Sequence, residues 1–298
     1  MKPAPFVHHA PRSVEEAVDV LAQVGHDGKV LAGGQSLIPI LNMRLASPGH
    51  LVDINRVAGL DRVEVRDGDV RVGALVRHAE LEHHEGAYAA LPLLRQALVN
   101  VAHPAIRNRG TTVGSIAHAD AAGEMPAILA LTGGVVEAAG PHGTREIAPA
   151  DFFLGPLETS LAEDEMAVAV RFPRFSPDTA TAFAESARRH GDYAMAGVAA
   201  AVTVRDGVIR EARTSFVSVT DVPSVLDLTE VLTGREPADA DWTAAAEAVR
   251  AHVEPEADIH ATADYRRMLA GELARRVLRQ AAENAATPVN ATTKGSSH

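Results

Sequence analysis

Cysteine is absent from the 298 residues of this sequence. Without thiols the chain has no disulfide, no thiolate nucleophile, no cysteine-ligated zinc and no iron–sulfur cluster held by its own side chains. Any redox chemistry of this chain must therefore depend on a bound organic cofactor.

Basic residues are outnumbered, since 28 lysines and arginines stand against 39 aspartates and glutamates and give a formal net charge of -11. Such a charge repels phosphate backbones and anionic lipid headgroups, so we expect neither nucleic acid nor a membrane surface as a partner. Long apolar runs are also missing, because none approaches the ~18 residues of a membrane span, and the N-terminus has no signal-peptide h-region. The sequence predicts a cytoplasmic protein without membrane insertion.

The residues that are present predict a folded chain. Hydrophobic residues make up 46% and charged residues 22%, which is usual for globular proteins. Ser13, followed by Glu16 three residues later, marks the start of an amphipathic helix that stops near Gly25. The stretch "KVLAGG" then predicts a short buried strand, and "SLIPILNMRL" predicts a turn and a short helix.

Local patterns extend this segmentation along the chain. Helical spacing returns between Ala79 and His103, and hairpin signals lie at Asp67-Gly68 and in "VVEAAGPHGTREIA". After the strand "MAVAVRFP", the stretch "FPRFSPDTATAF" indicates a domain boundary. Two long strands joined at Asp206-Gly207 and two helices follow it, which predicts an α+β module. The last residues, 287–298, lack an apolar period and are predicted to be a disordered tail.

A first glycine turn follows the strand "KVL". Gly33 and Gly34 leave backbone N–H groups accessible, and Gln35 and Ser36 add side-chain hydrogen bonds at the approach to a helix, a combination that binds phosphate oxygens. The spacing fits neither the dinucleotide G-x-G-x-x-G motif nor a P-loop. Taken alone, the two glycines are equally compatible with a tight turn that binds nothing.

A second turn lies in "RNRGTTVGSIAHAD", where small and hydroxylated residues follow Arg107 and Arg109. The residues of this turn that could bind phosphate are Thr111, Thr112, Gly114 and Ser115. Two such turns in one region predict a clamp for a diphosphate. In this interpretation, a side chain in place of Gly33 would occupy the space that the diphosphate needs.

Both turns resemble the flavin-binding subunit, or medium chain, of molybdenum-containing hydroxylases such as the carbon monoxide dehydrogenase and xanthine dehydrogenase family. In that family the first turn is approximately A-G-G-[HQ]-S-L and the second is usually T-[IVL]-G-G-[NSD]-[IL], followed by an acidic residue and proline. This chain has Ala32, Gly33, Gly34, Gln35, Ser36 and Leu37, then Thr111, Thr112, Val113, Gly114, Ser115 and Ile116, then Glu124 and Pro126. Val113 thus replaces a glycine, and Glu124 replaces the common aspartate.

The resemblance covers essentially residues 1 to 286 and includes a third stretch, "AFAESARRHGDYAMAGVAAAV". Its Asp192 and Tyr193 occupy positions that lie near the flavin in relatives, and Ala184 stands where the xanthine dehydrogenases carry a lysine. No catalytic residue and no metal ligand is predicted on this chain. The predicted cofactor-binding residues are Ala32, Gly33, Gly34, Gln35, Ser36, Leu37, Val101, Thr111, Thr112, Gly114, Ser115, Glu124, Asp192 and Tyr193.

The resemblance also implies a fold, namely an α+β protein with a two-part FAD-binding α/β region of the vanillyl-alcohol-oxidase (PCMH) type. A C-terminal α+β domain, with an antiparallel sheet and helices, follows that region. We expect a first FAD-binding subdomain over 1–57, a second over 58–175 and the C-terminal domain over 176–286.

The implied function is that of an electron-transfer subunit that binds FAD noncovalently. Electrons would come from a molybdenum cofactor on a large partner subunit, through [2Fe-2S] clusters on a small one, and leave the FAD for an external acceptor. Covalent attachment of the flavin is not expected, because the chain has no cysteine and no histidine in a motif for it. Two alternatives stay open: a stand-alone FAD-dependent oxidase of a small molecule, and a nucleotide- or phosphate-binding module without redox chemistry.

Overall fold

The computed structural model of the chain describes residues 2–287. Residues 288–298, which include most of the predicted disordered tail, lie outside the described residues. Within the described part, three sheets of three, five and four strands follow one another along the chain, together with a small two-stranded ribbon. No helix of residues 2–287 is both long enough and apolar enough to cross a bilayer.

The first sheet is parallel, with the strand order β1-β3-β2. Its strands are β1 (Val7–His9), β2 (Gly28–Leu31) and β3 (His50–Asp53). Helix α1 (Val14–Val24) begins as predicted, because the Ser13 Oγ accepts a hydrogen bond from the Glu16 N–H at 3.1 Å. Helix α2 (Leu37–Met43) follows the first glycine turn. The strand β1 is the element that sequence analysis missed here.

The second sheet is antiparallel, with the strand order β4-β5-β10-β6-β7. The strands of this sheet and of the adjoining ribbon are β4 (Val63–Val65), β5 (Asp69–Gly73), β6 (Val135–Gly140), β7 (Gly143–Ile147), β8 (Phe153–Gly155), β9 (Glu158–Thr159) and β10 (Met166–Pro173). Both predicted hairpins are confirmed, as β4 pairs with β5 and β6 with β7.

Seven helices of the described chain accompany the second sheet. They are α3 (His78–Glu82), α4 (Glu85–Ala90), α5 (Leu93–Leu98), α6 (Pro104–Arg107), α7 (Thr112–His118), α8 (Glu124–Thr132) and α9 (Pro149–Phe152). The predicted helical stretch between Ala79 and His103 is thus divided into short helices. One physical reason is Pro92, which disfavours the helical conformation at Leu91, where α4 ends.

The third sheet is antiparallel and its strands follow chain order. They are β11 (Thr179–Ala187), β12 (Ala194–Arg205), β13 (Val208–Val217) and β14 (Val225–Asp227), followed by α10 (Thr229–Leu232), α11 (Trp242–His252) and α12 (Ala263–Ala286). The long strands β12 and β13 and both long helices were predicted, whereas β11 and β14 were missed. Helix α12 packs on β11 and β12 and covers one face of the sheet.

Helix α8 connects the two halves of the molecule. The apolar core of the first two sheets is continuous, while the third sheet and α12 form a core of their own. Almost every residue of α8 is buried, because the helix contacts β10 on one side and β12 and β13 on the other. The Ser215 hydroxyl donates to the Ala127 carbonyl at 2.8 Å across this contact. The position of α8 is therefore determined by both halves.

Candidate functional site

The first glycine turn presents unused backbone donors. After β2 the chain turns through 32–36 into α2, and the Gln35 side-chain amide donates to the Gly33 carbonyl at 3.0 Å. The five backbone N–H groups from Gly33 to Leu37 donate to no atom of the described residues. Consecutive free N–H groups in a turn form an anion-binding concavity. This turn can therefore bind phosphate oxygens without any rearrangement of its own hydrogen bonds.

The two glycines of this turn are required for different reasons. Gly34 has φ +71°, in the left-handed region that side chains disfavour. Gly33 is needed because a Cβ there would collide with the Arg109 carbonyl and would lie 2.8 Å from the Gly110 Cα. The chain that approaches Gly33 most closely is therefore the second turn, so that Gly33 brings the two turns into contact.

Arg77 and Asn55 hold the two turns together. The Arg77 guanidinium donates to the Arg109 carbonyl and to the Asn55 side-chain oxygen, each at 2.7 Å. The Asn55 amide in turn donates to the Ala32 carbonyl at 2.9 Å. Burial, and then the neighbouring Arg109 charge, lower the pKa of Arg77. Sequence reasoning missed both residues, because no local motif marks a side chain that connects segments so far apart along the chain.

The hydroxyls of the second turn serve its own structure. The Thr111 Oγ accepts from the Gly114 N–H at 3.1 Å and so caps α7. Thr112 is fully buried, and its hydroxyl lies 3.2 Å from the Nδ1 of His78. Gly114 leaves room for the cap, because a Cβ there would stand 2.5 Å from the Thr111 Oγ. The side chains of Thr111 and Thr112 are thus already bonded within the protein.

His78 stabilises the second turn through its backbone and its side chain. Its backbone N–H donates to the Gly110 carbonyl at 2.9 Å, and its imidazole is buried. Burial, and then the charge of Arg107, lower the pKa of His78 to about 4. The imidazole is therefore neutral at physiological pH and acts as a structural partner of Thr112.

Val113 and Val101 both lie in the hydrophobic core. The side chain of Val113 is buried there, so the replacement of the family's glycine does not fill the cleft between the turns. The carbonyl of Val101 accepts from the Arg107 guanidinium at 3.0 Å. A role of Val101 in cofactor binding stays a prediction.

The two arginines of the second turn have different environments. Arg107 is buried and forms an ion pair with Glu82 at 2.7 Å. Arg109 is exposed, and its side chain forms no salt bridge within residues 2–287. Arg109 is thus the arginine that can reach an anion bound beside the first turn.

A first cleft of about 490 Å³ lies where these segments meet. It is lined by residues of the end of β2, the first turn, the start of α2, the end of β3 with its following residues, and α6 with its following residues: Leu31, Ala32, Gly33, Gly34, Gln35, Ile38, Pro39, Asp53, Asn55, Ile106 and Arg109. It combines free backbone N–H groups with a guanidinium and is open to solvent. Such a site suits an extended anion such as a diphosphate.

A second cleft of about 520 Å³ lies between the loop that joins α7 to α8 and the third sheet with its adjoining loops. Tyr193 lines it and is 70% exposed. Gly191, with φ +88°, packs close to the His103 ring and the Ala102 carbonyl, so this loop lies against the half of the molecule that contains the first two sheets. Partial desolvation of the ring and the charges of Asp120 and Glu124 raise the pKa of Tyr193. Asp192 precedes Tyr193 in the same loop, where its N–H donates to the Arg189 carbonyl at 3.1 Å.

Two carboxyl groups, one buried and one partly buried, have raised pKa values. Glu124, the first residue of α8, is only 9% exposed, and burial followed by the charge of Asp120 raises its pKa to about 7. Burial, and then the charge of Glu124, raises the pKa of Glu185 on β11 to about 8. Glu185 was missed by sequence reasoning, since β11 itself was not predicted.

Comparison with known families decides what this arrangement belongs to. Residues 4–175 match the family described as the FAD binding domain in molybdopterin dehydrogenase, and residues 181–281 match the CO dehydrogenase flavoprotein C-terminal domain. The chain belongs to the family of FAD-binding medium subunits of molybdenum hydroxylases.

Individual relatives of this family match over nearly the whole chain. The nicotine 6-hydroxylase medium subunit of Paenarthrobacter nicotinovorans is 40% identical over 279 residues, covering 93% of this chain and 98% of that protein. A carbon monoxide dehydrogenase structure from Hydrogenophaga pseudoflava, which lacks the Mo-pyranopterin moiety of its cofactor, superposes with TM-score 0.89 at 36% identity, covering 96% of this chain and 99% of that chain. The structure of quinoline 2-oxidoreductase from Pseudomonas putida 86 superposes with TM-score 0.90 at 36% identity, covering 96% of this chain and 100% of that chain.

Membership of this family confirms the predicted family, fold, enzyme class and cofactor. The chain is an oxidoreductase subunit with an FAD-binding region followed by a C-terminal domain, and its cofactor is FAD. The individual binding residues stay predictions. The structure brings the turn Ala32–Leu37 against Arg109 and Gly110, which directly precede Thr111, and it places Tyr193 at the second cleft, where the charge of Glu124 acts on it.

Proposed function

We propose that FAD binds noncovalently with its diphosphate at the first cleft. The observation that carries this proposal is the row of five unused backbone N–H groups from Gly33 to Leu37, with the Arg109 guanidinium beside them. Helix α7 and its cap would close the other side of the site, mainly through backbone groups. Glu124 would lie near the ribityl or diphosphate region, and the flavin end of the cofactor would lie toward Asp192 and Tyr193, near the second cleft.

The chain would act as the electron-transfer subunit of a multi-subunit, molybdenum-dependent hydroxylase. A large partner would oxidise the substrate at a molybdenum cofactor, and a small partner would carry [2Fe-2S] clusters. Bound FAD supplies the exchange between one-electron clusters and an external acceptor that takes two electrons. The absence of cysteine from this chain supports the need for a partner, because its own side chains cannot ligate such clusters. The cytoplasmic location expected from the sequence stays a prediction.

Recovery of the native complex tests this proposal. A tagged copy of the chain, expressed in its own cells, should copurify with two further polypeptides and with flavin, molybdenum and iron. Recovery of a lone yellow polypeptide that oxidises a substrate without molybdenum or iron would favour the stand-alone oxidase instead. A colourless chain that also fails to bind added FAD would favour the phosphate-binding module and would contradict both flavoprotein functions.

A further inference from the structure

A carboxyl group stands at the end of the strand beside the first glycine turn. Strands β2 and β3 are parallel neighbours connected through α2, and their register pairs Leu31 with Asp53. Leu31 ends β2 directly before the turn, and Asp53 ends β3. Both residues line the first cleft. A negatively charged side chain therefore shares this cleft with the Arg109 guanidinium and the free backbone N–H groups.

The Asp53 side chain keeps capacity to accept a hydrogen bond. Its Oδ1 accepts from the Asn55 backbone N–H at 3.0 Å and from the Asn55 side-chain amide at 2.6 Å. Its Oδ2 lies 3.2 Å from the His8 Nε2, and no other donor of residues 2–287 reaches it. A carboxylate offers about four acceptor positions, so Oδ2 can accept one more hydrogen bond. The side chain is 24% exposed, which leaves it open to a ligand in the cleft.

Asp53 is ionised at neutral pH. Desolvation acts against its charge, but hydrogen bonds from Asn55 and His8 outweigh desolvation and hold the pKa of Asp53 below its usual range. A carboxylate repels phosphate, and this repulsion is stronger in a partly buried cleft than in water. The part of a ligand that meets Asp53 must therefore be neutral and must donate a hydrogen bond. In FAD, the hydroxyls of the adenosine ribose and of the ribityl chain flank the diphosphate and meet both conditions.

The location of Asp53 in the fold favours the adenosine ribose. Tyr193, toward which the flavin end is proposed to lie, belongs to the loop after β11, whereas Asp53 belongs to the first sheet. Because the ribityl chain leads to the flavin, the adenosine extends from the diphosphate toward the first sheet. In dinucleotide folds, a carboxylate about 20 residues after the glycine turn, at the end of the neighbouring parallel strand, binds a ribose hydroxyl. Asp53 lies at that separation from Gly33, after the unit β2–α2–β3.

We propose that the Asp53 carboxylate accepts a hydrogen bond from a hydroxyl of the FAD adenosine ribose, beside the diphosphate at the first turn. This inference rests on the proposed function, which puts the diphosphate at the first cleft. Asp53 then fixes the direction in which FAD lies across the two turns. The same carboxylate repels a phosphate group on that ribose, so the site selects nucleotides whose ribose hydroxyls are free.

Two analogues of FAD test this contact, one without the 2′-hydroxyl of the adenosine ribose and one without the 3′-hydroxyl. Binding to the full chain freed of its cofactor is followed by flavin fluorescence. The wild type should bind at least one analogue roughly tenfold more weakly than FAD, which corresponds to about 1.4 kcal/mol. Asp53→Asn should bind FAD and that analogue equally, because an amide NH₂ in place of Oδ2 accepts no hydrogen bond. Asp19→Asn, an exposed change on α1, should keep the wild-type preference.

The outcomes separate a ribose contact from a structural role of Asp53. Equal wild-type affinity for FAD and both analogues would overturn the inference and leave the proposed function intact. Weaker binding in Asp53→Asn, with the full preference for FAD retained, would show that Asp53 only positions Asn55 and would also overturn the contact. Should Asp53→Asn not fold, Asp53→Ser replaces it, because a serine hydroxyl can still accept from the Asn55 N–H. Failure of the wild type to bind FAD would overturn the proposed function and this inference with it.

Discussion

The two turns of the candidate site look alike in sequence but are built differently. In the first turn five backbone N–H groups stay free. One internal hydrogen bond of this turn runs from the Gln35 side chain to the Gly33 carbonyl. The second turn uses the Thr111 hydroxyl as a helix cap and the Thr112 hydroxyl as a partner of His78. One turn is therefore a donor surface, and the other is a scaffold that shapes it.

This contrast predicts that substitutions in the two turns will affect different properties, namely FAD affinity and folding stability. A change in the first turn should weaken FAD binding while the protein stays folded. A change to a hydroxyl of the second turn should cost stability and leave affinity nearly intact. A change at the contact between Gly33 and the Arg109 backbone should affect both FAD affinity and stability, because this contact sets the distance between the two turns.

The largest effect is expected for Gly33→Val. Its side chain would push the turns apart, and loss of two hydrogen bonds to phosphate, at about 1.5 kcal/mol each, would raise the Kd for FAD about 100-fold. The Kd is measured by titrating FAD with the protein and following the FAD fluorescence. Gly68→Val is the control, because a Cβ at Gly68 meets nothing within 4 Å.

Unchanged FAD affinity in Gly33→Val would contradict the placement of the first cleft as the diphosphate site. Should that variant not fold, Arg109→Gln provides a second test. Its exposed side chain lines the cleft, so its removal should weaken FAD binding with an unchanged melting temperature.

Arg77→Met should have the next largest effect. It removes the hydrogen bonds to the Arg109 carbonyl and to Asn55 that hold the two turns together. We expect roughly tenfold weaker FAD binding, which corresponds to about 1.4 kcal/mol, together with a lower melting temperature. Arg66→Met, which removes an exposed arginine paired with Glu64, is the control. An Arg77→Met variant that binds FAD like the wild type would show that the donor surface does not need this connection.

Ser36→Ala tests the first turn alone. The Ser36 hydroxyl provides no cap to α2, so its loss should leave the melting temperature unchanged. If it contacts phosphate, FAD affinity should fall about fivefold, in line with loss of about 1 kcal/mol for one hydrogen bond. Calorimetric titration with FAD gives the affinity. A lower melting temperature with unchanged affinity would assign Ser36 to the scaffold instead.

Thr111→Ala tests the second turn, where we expect a loss of stability with little change in FAD affinity. Loss of the cap on α7 should cost about 1 kcal/mol of unfolding free energy, measured by urea denaturation. FAD affinity should change by less than about twofold, a difference well below 1 kcal/mol. The isolated surface change Thr144→Ala, on the exposed strand β7, serves as the control. A tenfold loss of affinity in Thr111→Ala would mean that this hydroxyl binds the cofactor directly.

The smallest effect concerns pH and His78. Because its folded pKa of about 4 lies below the ordinary histidine value of 6.5, the unfolded chain takes up the proton first as the pH falls. The stability that neutral His78 provides is fully present above pH 6.5 and is lost progressively toward pH 4. The decline in melting temperature over that window should be shallower in His78→Gln than in the wild type. His142→Gln, an exposed site, should follow the wild-type curve.

Much of the fold was predictable because its signals are local. The Ser13 cap of α1 and the turns at Asp67-Gly68 and Asp206-Gly207 involve neighbours in the chain, and the structure contains all three. Strand β11 was missed, since its stretch of alanine and threonine follows turn-forming residues and gains its strand conformation by pairing with β12. Likewise, the order β1-β3-β2 depends on contacts that local patterns do not record.

In the candidate site, too, the local features were predictable and the long-range contacts were not. The glycine turns were visible, and the resemblance led to the correct family and cofactor. The connection through Arg77 and Asn55 was not visible, because it depends on residues far apart in the chain.

By itself, the sequence determined that this chain has no thiolate redox chemistry, that two glycine turns precede helices, and that these turns are those of a flavin-binding subunit. Only the tertiary structure decided which polar groups remain free. Hydrogen bonds within the fold use the hydroxyls of Thr111 and Thr112, while the five backbone N–H groups from Gly33 to Leu37 stay free. The physical reason is that a side chain's chemistry depends on its solvation and its partners, and both are set by packing.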